Sequence, residues 1–250
     1  MREGMSNLSK EAVATQRRYY AETADQYEQM HANEKIGAAF NSKFIATMLQ
    51  MLGARSVLDV GTATGFRLVN LRAALPEAFI CGVEPVGELL AVAQRNDVPA
   101  FASLIRGSGL ALPFADQSFD VVCEVSILHH VEDPESVVKE MLRVARKAVL
   151  ISDSNRFGQG SLYARLLKVL LYKAGMWRAF DWLRTSGKGY RILDGDGLTY
   201  SYSVYDSFDL LASWADRLIV LPAEGGGTIS WLHPLLNSPG VIACAIKETS

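Results

Sequence analysis

Long apolar runs, cysteine and charge of one sign are all scarce in this chain of 250 residues. No apolar stretch reaches the roughly 20 residues of a membrane-spanning helix, and the N-terminus carries no apolar signal core. The three cysteines, Cys81, Cys123 and Cys244, each sit inside an apolar strand-like run, and no C-x-x-C occurs. They read as small buried hydrophobes, which excludes a disulfide framework and a cysteine metal cluster. A reduced, cytoplasmic setting is the expectation that follows. The net charge is only −2, which argues against attraction of the whole chain to nucleic acid or to an anionic membrane. Neither a G-x-S-x-G elbow nor a P-loop is present, so serine-nucleophile chemistry and phosphoryl transfer lack support. What is there is globular: 49% apolar and 21% charged residues, with no internal repeat.

The most informative stretch is Val57-Leu58-Asp59-Val60-Gly61-Thr62-Ala63-Thr64-Gly65. Val57 to Val60 is short, apolar and β-branched, and predicts a buried strand. Gly61, Ala63 and Gly65 lack bulk, so the backbone can turn sharply and approach a ligand. A helix from Phe66 to Leu75 follows, with its first N–H groups facing that turn. A strand, a small-residue turn and a helix N-terminus make a nucleoside pocket at the carboxyl edge of a sheet. Spacing decides which kind. In the dinucleotide fingerprint G-x-G-x-x-G the third glycine would fall on Phe66.

The actual pattern, D-x-G-x-A-x-G, resembles motif I of the class I S-adenosylmethionine-dependent methyltransferases, usually (D/E)-x-G-x-G-x-G, with Ala63 in place of its middle glycine. The likeness is to the methyltransferase type 11 and ubiquinone-biosynthesis-type small-molecule members. It continues in Arg18-Tyr19-Tyr20 to Tyr27, similar to the N-terminal helix that in the family folds over the cofactor. It also covers Leu-Pro113-Phe114 and Ser-Phe119-Asp120, and Ser126-Ile-Leu-His129-His130-Val131. The resemblance spans roughly residues 18–153 and implies a seven-stranded, mostly parallel Rossmann-like sheet flanked by helices, with S-adenosylmethionine as cofactor.

The residues themselves support that architecture. From Phe79 strands and helices alternate, which predicts parallel strands joined by crossover helices. The second strand, Phe79 to Val83, ends in Glu84-Pro85, and Glu84 stands where ribose hydroxyls need an acceptor. Strands are expected at Phe101–Ile105, Val121–Ser126, Ala148–Ile151, Arg217–Leu221 and Val241–Lys247. Expected cofactor contacts are Tyr20, Tyr27, Asp59, Gly61, Thr62, Ala63, Gly65, Glu84, Pro85 and Glu124. Ser108 stands where the family often has the aspartate that meets adenine, so that contact falls to Ser108 or to the backbone of Gly109 and Leu110.

Methyl transfer to a hydroxyl needs a base near the methyl group. His129, His130 and Asp153 fall at the ends of the fourth and fifth strands, and histidine titrates near neutrality. His233 is a further candidate. Asp194 and Asp196 suggest a cation loop, but no glutamate occupies the twelfth position, and no metal is expected.

Residues 156–191 are basic: eight Lys or Arg and one acid, Asp181, a segment charge of +7 within a chain of −2. With Trp177, Phe180, Trp182 and a leucine stripe, it predicts a helical lid over the substrate. Residues 193–205 read as a loop with a strand-like tail, and 224–227 as a flexible connection. The expected division is a helical cap over 1–52, a cofactor core over 53–154, a lid over 155–205, and the last two strands over 206–250. The expected activity is methyl transfer from S-adenosylmethionine to oxygen of a small molecule, anionic or carrier-linked. A methyltransferase acting on RNA or protein, or a cofactor-binding protein without turnover, are the alternatives. Oligomeric state is not readable from these residues.

Overall fold

Alternating apolar runs and amphipathic segments become a sheet covered by helices. The structure, a computed structural model, describes residues 2–30, 35–223 and 233–248. Two N-terminal helices, α1 (Arg2–Thr23) and α2 (Tyr27–Met30), precede α3 (Lys35–Met51). The alternating part is β1 (Ser56–Val60), α4 (Phe66–Ala74), β2 (Phe79–Glu84), α5 (Gly87–Arg95) and β3 (Ser103–Arg106). It continues through β4 (Phe119–Val125), α6 (Pro134–Val144) and β5 (Ala145–Ser154). Then come α7 (Leu162–Lys173), α8 (Trp177–Arg184) and a hairpin of β6 (Tyr190–Leu193) and β7 (Gly197–Tyr200). The chain closes with α9 (Phe208–Trp214), β8 (Arg217–Pro222), α10 (Pro234–Asn237) and β9 (Gly240–Ile246).

The main sheet has the order β3-β2-β1-β4-β5-β9-β8, parallel except for β9, which runs antiparallel to both its neighbours. Its central strands are apolar on both faces because helices cover both. Along β1, Val57 packs with Ile45, Leu49 and Leu68 on one side, while Leu58 and Val60 join Val138, Met141 and Leu211 on the other. α6 shows how local sequence sets an element. Asp133 caps it by accepting from the Ser136 N–H at 3.1 Å, Pro134 opens its first turn, and Val137, Val138, Met141, Leu142 and Val144 are buried. Each such side chain contributes roughly 1.5–3 kcal/mol relative to exposure.

Several boundaries differ from the sequence expectation, among them the start of β4 at Phe119 instead of Val121. The third strand starts at Ser103 because Val98–Ala100 form a 3-10 turn that Phe101 terminates. The fifth runs on to Ser154, since β9 pairs with it as far as Gly240. The lid is not continuous helix: Gly175, at φ +70°, ends α7, and residues 190–200 form the β6–β7 hairpin. Its three-residue turn, Asp194-Gly195-Asp196, has Gly195 at φ +87°, a backbone region that favours glycine. The expected connection over 224–227 lies outside the described residues.

Candidate active site

The carboxyl ends of β1, β2, β4 and β5 meet at one edge of the sheet, as the parallel topology requires. After β1, Gly61 and Gly65 are left-handed at φ +74° and +76°, and Ala63 at +48°. The turn is tied to β2 by the Gly61 and Thr62 N–H groups, which donate to the Val83 carbonyl at 2.8 and 3.1 Å. Two close approaches explain its small residues. A Cβ on Gly61 would stand 2.4 Å from Ile127 Cγ2, and one on Gly82 would stand 2.7 Å from Thr62 Cγ2.

Two buried carboxylates flank the turn. Asp59 receives the Arg67 guanidinium at 3.0 Å, so its charge is neutralised inside the protein. Glu84 accepts from the Ala63 N–H at 3.1 Å and the Val86 N–H at 2.9 Å. Burial pushes the Glu84 carboxyl up to about 7 against the pull of those two donors. Asp59 Oδ2, Thr62 Oγ1, Thr64 Oγ1 and Glu124 Oε1 are buried here with no hydrogen-bond partner.

A cavity of about 910 Å³ opens beside the turn, within the usual range for small-molecule sites. Thr62, Ala63, Thr64 and Arg67 line it, together with Tyr20, Tyr27, Ser126, His129, His130, Asp153 and Asp196 and with the cations Lys168, Arg184 and Arg191. Ser126 is left-handed at φ +61°, a conformation costing roughly 1–3 kcal/mol in a non-glycine residue and concentrated at functional sites.

The two histidines are wired differently. His129 Nδ1 donates to Asp153 Oδ1 at 2.6 Å, and its Nε2 faces Asp196 Oδ2 at 3.5 Å. Asp153 is buried and also accepts from the Leu128 and Ser154 N–H groups. Burial pushes the His129 imidazole down, but Asp153 and Asp196 more than reverse this and lift it to about 10. His129 therefore holds its proton at neutral pH. Burial opposes the ionised form of Asp153 and of Asp196 as well, yet the histidines hold both carboxyls below their ordinary values.

His130 Nδ1 lies 2.8 Å from the Leu198 carbonyl and 3.0 Å from Gln16 Nε2, and its Nε2 stands 3.1 Å from the Tyr20 hydroxyl and 3.3 Å from Asp196 Oδ1. α1 braces the hairpin that presents Asp196, with Gln16 Oε1 accepting from the Leu198 N–H at 2.5 Å. His129, His130 and Asp196 offer atoms within 4.8 Å of one another, a spacing that could hold one cation.

The lid residues divide in two. Arg156 is buried, pairs with Asp206, and lies over Phe157, Tyr172 and Trp177. Its charge is neutralised inside the fold. Lys168 faces the cavity within a group of cations. Burial and then Arg184, Arg165, Arg156 and Arg191 hold its ammonium below the usual value.

Of the expected site residues, Tyr20, Tyr27, Thr62, Ala63, His129, His130 and Asp153 line this cavity together. Asp59, Gly61, Gly65, Glu84, Pro85 and Glu124 do not form its wall. Asp59, Glu84 and Glu124 are buried behind it, and Glu124 Oε2 accepts from the Ile127 N–H at 3.2 Å. Ser108, Gly109 and Leu110 sit beyond β3, where Ser108 Oγ accepts from the Leu110 N–H at 3.3 Å and Leu110 is exposed. His233 caps α10, its Nδ1 accepting from the Leu235 N–H at 3.2 Å. Sequence reasoning misses Arg67, Gln16, Gly82, Ser126 and Asp196 as site residues. For Arg67 the available signal is a cation in the first turn of the helix after the glycine motif.

The chain is similar to known methyltransferases in sequence and fold. Residues 58–151 match the family described as a methyltransferase domain. An uncharacterized methyltransferase of Mycobacterium leprae is 29% identical over 180 residues, 71% of this chain and 65% of its own length. A demethylmenaquinone methyltransferase of Roseiflexus sp. is 30% identical over 138 residues, 54% of this chain and 57% of its own. The chain thus spans less than two thirds of the length of these relatives. Among solved structures, a plantazolicin methyltransferase with S-adenosylhomocysteine and a substrate analogue superposes with TM-score 0.61 at 14% identity, covering 99% of both chains. The magnesium protoporphyrin IX methyltransferase of Synechocystis, with S-adenosylhomocysteine, gives 0.60 at 15% identity, covering 93% of this chain and 97% of its own. At such identities the likeness concerns the fold.

Proposed function

We propose that this chain is an S-adenosylmethionine-dependent methyltransferase that methylates an oxygen of a small molecule with an apolar body and an anionic group, a reading supported by the methyltransferase-domain match over residues 58–151 and by its methyltransferase relatives. The observation that carries the reading is one cavity lined by Thr62, Ala63 and Thr64 of the turn after β1, by His130, and by Lys168, Arg184 and Arg191. The residues present fit the cofactor. Thr62 Oγ1 and Thr64 Oγ1, on residues that line the cavity, are buried without a hydrogen-bond partner and can receive a polar ligand. A carboxylate offers about four acceptor positions, of which Ala63 and Val86 use two on Glu84.

Thr62, Ala63 and Glu84 would hold the cofactor's nucleoside, with Tyr20 and Tyr27 closing over it. When bound, S-adenosylmethionine supplies a methyl group activated by the positive charge of its sulfur. The chain's own task is to align the acceptor, exclude water and remove the hydroxyl proton. His130 Nε2 takes that proton, and Asp196 Oδ1 at 3.3 Å stabilises the imidazolium that results. His129, already protonated, fixes Asp153 and Asp196 and is a positioning residue. Lys168, Arg184 and Arg191 hold the acceptor's phosphate or carboxylate, setting the distance from anion to reacting oxygen.

Calorimetry with S-adenosylmethionine tests the cofactor half, and absence of binding overturns it. Release of S-adenosylhomocysteine across hydroxyl acceptors, paired with and without a phosphate or carboxylate, tests the acceptor half. Turnover confined to the uncharged member of each pair overturns the anionic handle.

A further inference from the structure

A helix is usually held in a fold by burying one face, but α7 has only a half-buried side, at Ala164, Arg165, Lys168, Val169 and Leu171, and no fully covered residue over Leu162–Lys173. Leu162, Leu166, Leu167 and Leu170 are 45, 44, 51 and 67% exposed. The exposure continues into α8 and the hairpin, with Trp182 at 58% and Ile192 at 65%. Twelve of the nineteen exposed large hydrophobic side chains among the described residues lie within residues 162–193. Soluble surfaces rarely gather apolar groups in this way without a use for them.

The same stretch carries seven of the chain's cations, and Lys173, Arg178, Arg184, Lys188 and Arg191 are exposed. Its one acid, Asp181, is buried and paired with Arg184. Apolar and aromatic groups interleaved with Lys and Arg on adjoining short helices are the composition of elements that lie in a membrane interface. The carbon chains and rings enter the acyl boundary, and the cations meet anionic headgroups. A second copy of this face would set cations against cations, so the occupant must be both apolar and negatively charged.

We propose that α7, α8 and the β6–β7 hairpin dock this protein on the surface of a bilayer rich in anionic lipid. The acceptor's route follows from where the cavity opens. Lys168, Trp177, Arg184, Arg191 and Leu193 line it and belong to this same segment. An amphiphile drawn from the bilayer reaches the cations with its anionic group first. This last step rests on the acceptor reading above; the docking itself does not.

Flotation with phosphatidylglycerol-containing vesicles, against vesicles of phosphatidylcholine alone, tests the docking. The full chain is expected to float with the anionic vesicles and to bind neutral ones at least tenfold more weakly. Leu167→Glu with Leu170→Glu, and separately Lys173→Glu with Arg178→Glu, should each lower vesicle binding at least tenfold. All four positions lie outside the cavity wall, so calorimetric affinity for S-adenosylmethionine should be unchanged, and it also reports that each variant is folded. Three results overturn the proposal: no flotation of the wild type, equal flotation of wild type and both variants, or a stable dimer in sedimentation that the leucine variant dissolves. Vesicle binding without cofactor binding would instead refute the methyltransferase reading and leave the docking standing.

Discussion

Replacing Asp153 by Asn should cost this protein stability that depends on pH in a defined direction. In the native state buried Asp153 accepts from His129 Nδ1 at 2.6 Å and from two backbone N–H groups. Against burial, Asp153 first and Asp196 second lift His129 from 6.5 to about 10. A histidine raised on folding contributes stability that is fully present below its unfolded value and is lost as pH rises through its folded value. The two values correspond to about 5 kcal/mol below pH 6.5, about 4 at pH 7, and less than about 1 at pH 10. Mutational experience with broken buried pairs, roughly 3–5 kcal/mol, agrees. An asparagine in this place would keep one acceptor oxygen but turn an N–H toward a donor. The difference in unfolding free energy between wild type and Asp153→Asn should therefore be about 3–5 kcal/mol at pH 7 and shrink toward pH 10. Urea unfolding of both proteins at each pH gives the difference, and groups titrating alike in both cancel. A gap that stays constant across that range, or a His129 resonance titrating near its ordinary value, refutes the reasoning.

Further outcomes follow from other parts of the site. His130→Ala should slow methylation of a hydroxyl acceptor by ~100-fold or more while sparing cofactor affinity, and an unchanged rate removes His130 as the base. Glu84→Ala should weaken S-adenosylmethionine binding at least tenfold by calorimetry. Because the Glu84 carboxyl sits near 7, wild-type affinity should rise from pH 6 to pH 8 as the carboxylate forms, and Glu84→Gln should flatten that rise. Gly61→Ala forces a side chain into a left-handed position and against Ile127, so it should lower stability by about 1–2 kcal/mol and abolish cofactor binding. Adding Ile127→Ala should relieve the collision but not the backbone cost, which thermal unfolding can separate.

The order of strands and helices could be read in advance because each depends on neighbours in the chain. Val57 to Val60, the stripe on α6 and the glycine turn are patterns confined to about ten residues. The same locality explains the boundary errors. Ser154 belongs to β5 because Gly240 pairs with it, and nothing near Ser154 reports that partner. Charge counting fails similarly at Arg156, which counts among the lid's free cations until the fold sets it beside Asp206, 50 positions away.

Sequence alone determined the sheet class, the small-residue turn after the first strand, and the presence of two histidines at the carboxyl edge of the sheet. Tertiary structure decided what each of them does. His129 and His130 are adjacent and chemically identical, yet one is enclosed between Asp153 and Asp196 while the other presents a nitrogen toward Tyr20. Their protonation depends on carboxylates and carbonyls 24 to 68 residues away. A proton's affinity is set by distance and burial, which are properties of the folded chain and have no local pattern to betray them.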